Sequence, residues 1–229
     1  VDESLANVLA SEVSDLLIAP GFEPAALETL AKKKKGAYLL LEIDPEYSAP
    51  EVEQREVFGF TFTQERNSKE FTADLFQGMP DAAADSLLVA SIALKYTQSN
   101  SVAVACDGQV IGIGAGQQSR IHCTRLACDK ADKWMLQSHP KVLGLPFKQG
   151  TKKVDKANIV DQFLLFDELS DRERADLAGR LDAAPEPLAR EDRRAWIDHF
   201  EGVVLASDAY IPFRNNIDRA AHSNVRYVG

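Results

Sequence analysis

Apolar positions along the chain alternate between short continuous runs and longer stretches with helical spacing. Leu16 to Ala19 predicts a short strand, Glu23 to Lys35 a helix, and Tyr38 to Ile43 a second, continuous strand, which together make a βαβ unit. The four lysines at 32 to 35 fall in the last turn of that helix, before Gly36, where they would complement its dipole as a solvated C-terminus. Val57 to Thr63 reads as a further strand, and Asp81 to Lys95 as a strongly apolar helix that delivers the chain to a polar turn at Thr97 to Ser101. A hairpin follows, Val102 to Ala105 and Gln109 to Ala115 about Asp107-Gly108, and then a helix from Arg120 to Gln137. From Asp155 to Phe200, Glu, Asp, Arg and Ala dominate, Pro185 and Pro187 interrupt, and β-branched clusters vanish. This stretch predicts a helical insertion. The α/β pattern returns with the strand Val203 to Leu205, the helix Asn215 to Ala221 and a last strand at Val225 to Val228.

Within the hairpin, Gly112, Gly114 and Gly116 alternate with Ile113 and Ala115 and so share one face of a strand. A face without Cβ atoms admits another backbone or a flat ligand. Together with the polar turn and Arg120 at the mouth of a helix, the stretch from Lys95 to Lys130 reads as built for a phosphorylated small molecule; close packing of a helix on the strand is the alternative. The glycine spacing is not a dinucleotide fingerprint, which needs strand, tight turn and helix in that order, whereas these glycines lie inside the second strand of a hairpin.

Composition narrows the field. In 229 residues, 45% are hydrophobic and 27% charged, ordinary material for a globular enzyme with a sizeable core. The formal charge of -9 excludes a general nucleic-acid surface, which calls for a basic face. No apolar run approaches the ~20 residues of a membrane helix. Cys106, Cys123 and Cys128 are too few and too unevenly spaced for a disulfide framework, so a reducing, cytoplasmic setting is expected. The chain opens without methionine and closes on an apparent strand, from which sequence missing at both ends is expected.

Zinc is not expected. His122, Cys123 and Cys128 are close in sequence, but a five-residue helical interval points the two thiols to different faces, and no fourth ligand is evident. The cysteines read as core residues, and His139, His199 and His222 as structural residues of helix ends and helix surfaces.

Lys95 to Asn100, Gly108 to Arg125 and the segment Ser207-Asp208-Ala209-Tyr210-Ile211-Pro212-Phe213-Arg214 resemble signature segments of AICAR transformylase, the purine-synthesis domain that in many organisms is fused to IMP cyclohydrolase. Glu12-Val13-Ser14-Asp15, Ile18-Ala19-Pro20-Gly21, the lysine run and Val142 to Lys148 extend the resemblance over nearly the whole chain, in order. It implies a cytidine-deaminase-like α/β core, a mixed sheet with helices on both faces, over 1–150 and 201–229, with the all-helical insertion at 151–200. It also implies a homodimer with shared active sites, acting on the small molecules AICAR and 10-formyltetrahydrofolate.

The reaction implied is formyl transfer to the 5-amino group of AICAR. That amine is conjugated and a poor nucleophile, so a base must take its proton while a tetrahedral oxyanion forms. The resemblance places Asn100 beside the transferring formyl group, where a neutral amide can donate to the oxyanion. It gives Asp15, Asn100, Arg120 and Tyr210 to the nucleotide, Tyr210 standing where the family usually has phenylalanine, and Ile121, Pro212 and Asn215 to the folate. Asn215 replaces the family's aspartate and so exchanges a charged acceptor for an amide; a plain helix N-cap is the alternative there. Thr97, Ser99, Ser101 and Asp208 match a potassium or sodium site, hard oxygen donors with one formal charge, the alternative being hydroxyls bonded to their own turn. The family's catalytic lysine-histidine pair has no match, since no Lys-His dipeptide occurs in the chain. A module that binds AICAR or a purine nucleotide without turnover is therefore the second reading.

Overall fold

The structure, a computed structural model, describes all 229 residues as two compact units, Val1–Lys69 and Glu70–Gly229. In the first, helix α1 (Glu3–Ser11) starts where the Asp2 carboxylate accepts from the Leu5 N–H at 2.8 Å. Strand β1 (Leu16–Ala19), helix α2 (Pro24–Ala31) and strand β2 (Leu39–Glu42) form the expected βαβ unit, with β1 and β2 parallel and Leu16 opposite Leu39. A small core of Ala6, Ala26, Leu30 and Tyr38 joins them.

Two expectations fail in this unit. The helix ends at Ala31, and Lys33–Gly36 form a tight 3-10 turn in which Lys34 and Lys35 adopt φ of 51° and 57°. Lys33 does serve a helix C-terminus, but that of α1: its ammonium donates to Leu9 O, Glu12 O and Ser14 Oγ, each at 2.7 Å, and lies 4.4 Å from the centre of the Tyr38 ring. The expected strand Val57 to Thr63 is the turn and one arm of an antiparallel hairpin, β3 (Val52–Val57) and β4 (Phe60–Glu65). Phe58 and Gly59 both have positive φ, 51° and 79°, as a two-residue hairpin turn requires. Phenylalanine is a rare occupant of that conformation, so the apolar run hid the reversal.

The second unit centres on a mixed four-stranded sheet in the order β6-β5-β7-β8: β5 (Val102–Cys106), β6 (Gln109–Gly114), β7 (Val204–Ser207) and β8 (Tyr227–Val228). The pairs β5–β6 and β5–β7 are antiparallel, whereas β7–β8 is parallel. Every residue of β5 is buried, and its side chains alternate between two cores. Ala103 and Ala105 pack with Ala83, Leu87, Ala90 and Leu94 of helix α3 (Asp81–Lys95). Val102 and Val104 pack with Cys123, Ala127 and Ala131 of helix α4 (Arg120–Leu136). Helices thus cover both faces.

The glycine face of β6 meets a helix. A Cβ at Gly112 would collide with Ala127 O and lie 2.8 Å from Ala131 N, and one at Gly114 would collide with Cys123 O and lie 3.0 Å from Cys123 Cα. Backbone of α4 fills the space that the sequence reading offered to a ligand, so the packing alternative holds for these two positions.

Five further helices belong to this unit, α5 (Pro140–Leu143), α6 (Lys153–Leu164), α7 (Asp171–Gly179), α8 (Arg190–Ile197) and α9 (Arg214–His222), and Phe147 and Leu181 form an isolated antiparallel bridge between them. Ser170 and Glu173 close a reciprocal capping box on α7. Ile159, Phe163, Leu177, Leu188 and Ile197 share the core of α4 and β5. Arg219 of α9 holds Asp129 and Asp132 of α4 at 2.7 and 2.8 Å, which fixes α9 along α4. No helix is long and apolar enough to cross a membrane.

Candidate functional site

Three chain segments converge at one end of β5. The turn after α3 supplies Ser99, Asn100 and Ser101, the first residue of α4 is Arg120, and Asp208 directly follows β7. The ladder between β5 and β7 continues into this corner, where the Asp208 N–H donates to Ser101 O at 3.2 Å and the Ser101 N–H donates to Asp208 Oδ1 at 3.1 Å. The Ser99 hydroxyl donates to Asp208 Oδ2. Arg120 places Nη1 on Asp208 Oδ1 and, at 2.8 Å, on Ser101 O, while Nη2 donates to Asn100 Oδ1 at 3.1 Å.

The Arg120 and Asp208 side chains are 7% and 16% exposed, so the pair is a largely covered ion pair and not a surface one. Burial pushes the Asp208 carboxyl up, but hydrogen bonds from Ser99, the Ser101 N–H and Arg120, with the guanidinium charge, outweigh it and hold the group below the ordinary carboxylate range. Three of Arg120's five N–H donors are thus committed to protein acceptors. Asn100 is held from several sides: its side-chain Nδ2 donates to Gln117 O at 3.0 Å, and its backbone carbonyl accepts from the Gln117 N–H at 3.3 Å and the Cys123 thiol at 3.0 Å.

A second polar chain lies one helical turn along α4. Thr124 and Asn216, 0% and 1% exposed, meet at 2.9 Å between Oγ1 and Oδ1. Asn216 Nδ2 donates to Phe213 O at 3.0 Å and to Asn215 Oδ1 at 3.1 Å. Phe213 occupies the N-cap position of α9 and Asn215 lies inside its first turn, so the capping alternative for Asn215 does not hold. Tyr210, Pro212 and Phe213, with Ile211 and Ile217, line an open groove of about 460 Å³. Tyr210 is 82% exposed, and Ile121, next to Arg120, is half-buried.

Of the residues read from the sequence, Ser99, Asn100, Ser101, Arg120 and Asp208 form one bonded cluster. Thr97 turns its hydroxyl back to Ala93 O at 2.7 Å. Asp15, in the first unit, is exposed and pairs with Lys34. For a monovalent ion the donor set is divided. Ser101 Oγ is buried without a partner, but Thr97 is bonded to its own helix and Asp208 already faces a guanidinium. No three His, Cys, Asp or Glu side chains cluster as metal ligands. The cysteines are free and buried, with burial pushing the Cys128 thiol up to about 11. His139 accepts from the Lys141 N–H at the start of α5. Gln117, Thr124 and Asn216 escaped the sequence reading. A threonine four residues after Arg120, on the covered face of α4, was the available signal.

The family model described as AICARFT/IMPCHase bienzyme matches residues 1–130. Among curated proteins, the chain is similar to the bifunctional purine biosynthesis protein PurH of Roseobacter denitrificans, 32% identical over 151 residues, which are 64% of this chain and 28% of that protein. PurH of Ligilactobacillus salivarius is 33% identical over 136 residues, 57% of this chain and 27% of the relative. PurH of Chloroflexus aurantiacus is 31% identical over 161 residues, 66% and 31% respectively. The matched part spans less than a third of these relatives' length. The signature segments at 95–100 and 108–125 lie inside the family match and build the Asn100–Arg120 corner, and on these grounds the chain belongs to the AICARFT/IMPCHase bienzyme family, within its AICAR transformylase part.

Proposed function

We propose that this chain furnishes part of a pocket in which a formyl group passes from 10-formyltetrahydrofolate to the 5-amino group of AICAR. The observation that carries the reading is the fixed amide of Asn100, held by Arg120 on its oxygen and by Gln117 O on its nitrogen. A neutral amide with a remaining N–H can stabilise the tetrahedral oxyanion without titrating near neutral pH. In this reading Asn100, Arg120, Asp15 and Tyr210 serve the nucleotide, and Ile121, Pro212 and Asn215 the folate. The groove beside Tyr210 and Pro212 gives an aromatic, open surface for a flat ring. Proton removal from the amine and proton delivery to the leaving folate nitrogen fall to a lysine-histidine pair outside these 229 residues. The fold is read as cytidine-deaminase-like, and the working protein as a cytoplasmic homodimer with shared sites. A potassium ion would find Ser99, Ser101 and Asp208 at hand, and Thr97 only if its hydroxyl left Ala93 O.

The test is Asn100→Ala in the full-length protein. Loss of one oxyanion donor should lower kcat about 100- to 1,000-fold, and calorimetry with AICAR separates that loss from the part Asn100 plays in binding the nucleotide. An unchanged kcat would remove Asn100 from the chemistry. AICAR binding with no turnover by the wild-type full-length protein would favour the non-catalytic binding module.

A further inference from the structure

We infer that Asp208 is a positioning residue that acts through Arg120 to set the orientation of the Asn100 amide, so that one defined N–H is left for a ligand. The inference rests on the reading of Asn100 as an oxyanion donor. It follows from donor and acceptor accounting. Guanidinium nitrogens only donate, so the Asn100 atom 3.1 Å from Arg120 Nη2 has to be the amide oxygen. A backbone carbonyl only accepts, so the atom 3.0 Å from Gln117 O has to be the amide nitrogen. Both ends of the amide are assigned independently and agree. An amide nitrogen carries two hydrogens, and Gln117 O takes one of them. The other has no protein partner and is the donor available to a ligand.

Arg120 can act this way only because its own fork is held. Nη1 bridges Asp208 Oδ1 and Ser101 O, which leaves the plane of the guanidinium no freedom to swing away from Asn100. Asp208 is held in turn by the Ser101 N–H and by the Ser99 hydroxyl. The chain of contacts therefore runs Ser99 to Asp208 to Arg120 to Asn100 without a gap. With Asp208 lost, a largely covered guanidinium would face neutral acceptors alone and turn toward solvent, releasing the Asn100 oxygen. An amide held at one end can flip, and the outward N–H is then replaced for part of the time by a carbonyl oxygen, which repels an oxyanion.

A double-mutant cycle on the full-length enzyme tests this directly. Asp208→Asn should lower kcat by at least about tenfold when Asn100 is present, and by less than about twofold when Asn100→Ala is already in place, since residues acting as a unit are non-additive. Ser99→Ala removes only the outer, exposed hold on Asp208; it leaves the ion pair intact and should give a smaller loss with the same dependence on Asn100. It also serves if Asp208→Asn folds poorly. Equal losses in both Asn100 backgrounds, for either variant, would overturn the inference and make the ion pair a plain stabilising contact. If Asn100→Ala alone leaves kcat unchanged, the reading of Asn100 fails first, and the inference with it.

Discussion

Gly114→Ala is the substitution that decides what the glycine face of β6 is for. The added Cβ would collide with Cys123 O and lie 3.0 Å from Cys123 Cα, all of it main chain in the middle of α4. Main chain cannot rotate aside as a side-chain tip can, so relief requires α4 to retreat by about 1 Å to ordinary contact distance. That retreat would open the packing of Cys123, Ala127 and Ala131 on Val102 and Val104, all buried. Overpacking costs about 1–3 kcal/mol in adaptable cores, and a helix backbone in the way puts this case at about 3 kcal/mol or above. For a unit of this size the expected fall in thermal midpoint is roughly 6 to 12 °C. Gly112→Ala, which meets Ala127 O and Ala131 N, should behave alike. Gly108→Ala is the control: its φ of 71° carries strain, but nothing lies within 4 Å of the new Cβ, so a loss of about 1–2 kcal/mol is expected from the backbone alone. The assay is thermal unfolding followed by circular dichroism, beside calorimetric titration with AICAR. Variants at 112 and 114 that keep the native midpoint but lose ligand affinity would refute the packing argument and restore the ligand-facing one.

Three further outcomes are expected. Burial pushes the His139 pKa below its usual value, and the neutral ring accepts the Lys141 N–H at 3.1 Å. The stability it contributes is full above the unfolded value of about 6.5 and is lost as pH falls through the lower folded value, so the wild type should lose thermal midpoint below pH ~6.5 relative to His139→Asn. Parallel pH profiles would remove the histidine as the titrating cap. Asn215→Asp should lower the Michaelis constant for 10-formyltetrahydrofolate by roughly five- to thirtyfold and leave that for AICAR alone: Asn216 already occupies Asn215 Oδ1, so the asparagine turns its donor outward where an aspartate would offer a second, charged acceptor. A folate constant that stays put would take position 215 out of the folate contacts. Lys33→Met deletes the three hydrogen bonds to α1 and Ser14 together with the charge over the Tyr38 ring, for an expected loss of about 1.5–3 kcal/mol by urea unfolding; an unchanged midpoint would show that water caps α1 equally well.

Local pattern carried much of the fold. The helix Asp81–Lys95, the hairpin about Asp107-Gly108 and the start of α4 at Arg120 lie where periodicity and turn chemistry place them, because each is decided by residues near in sequence. The misreadings have local causes as well. Phe58 in a position that favours Asn or Gly disguised a hairpin as one strand, and the Lys33–Gly36 turn showed only as a charge run. Motif order pointed to Asn100, Arg120 and Asp208, yet not to the contact between the Arg120 guanidinium and Asp208. The contact between Ser101 and Asp208 spans 107 residues, and no pattern within either segment contains it.

The glycines and the site are nevertheless connected. An α-helix is close to a rigid rod with a rise of about 1.5 Å per residue, so the line along which α4 rests on β6 also fixes where its first residue arrives. That line is set by Gly112 and Gly114, which admit the α4 backbone at Ala127 and Cys123, within two turns of Arg120. Arg120 in turn has to reach two elements at once, Asp208 after β7 and Asn100 before β5, and both are anchored to the same sheet through the β5–β7 ladder. Hydrogen bonds weaken steeply with distance and angle, so a helix displaced by a single Cβ could not satisfy both partners from its first residue. The bare face of β6 therefore belongs to the site at one remove: it holds no ligand, but it sets the depth at which the guanidinium meets the amide.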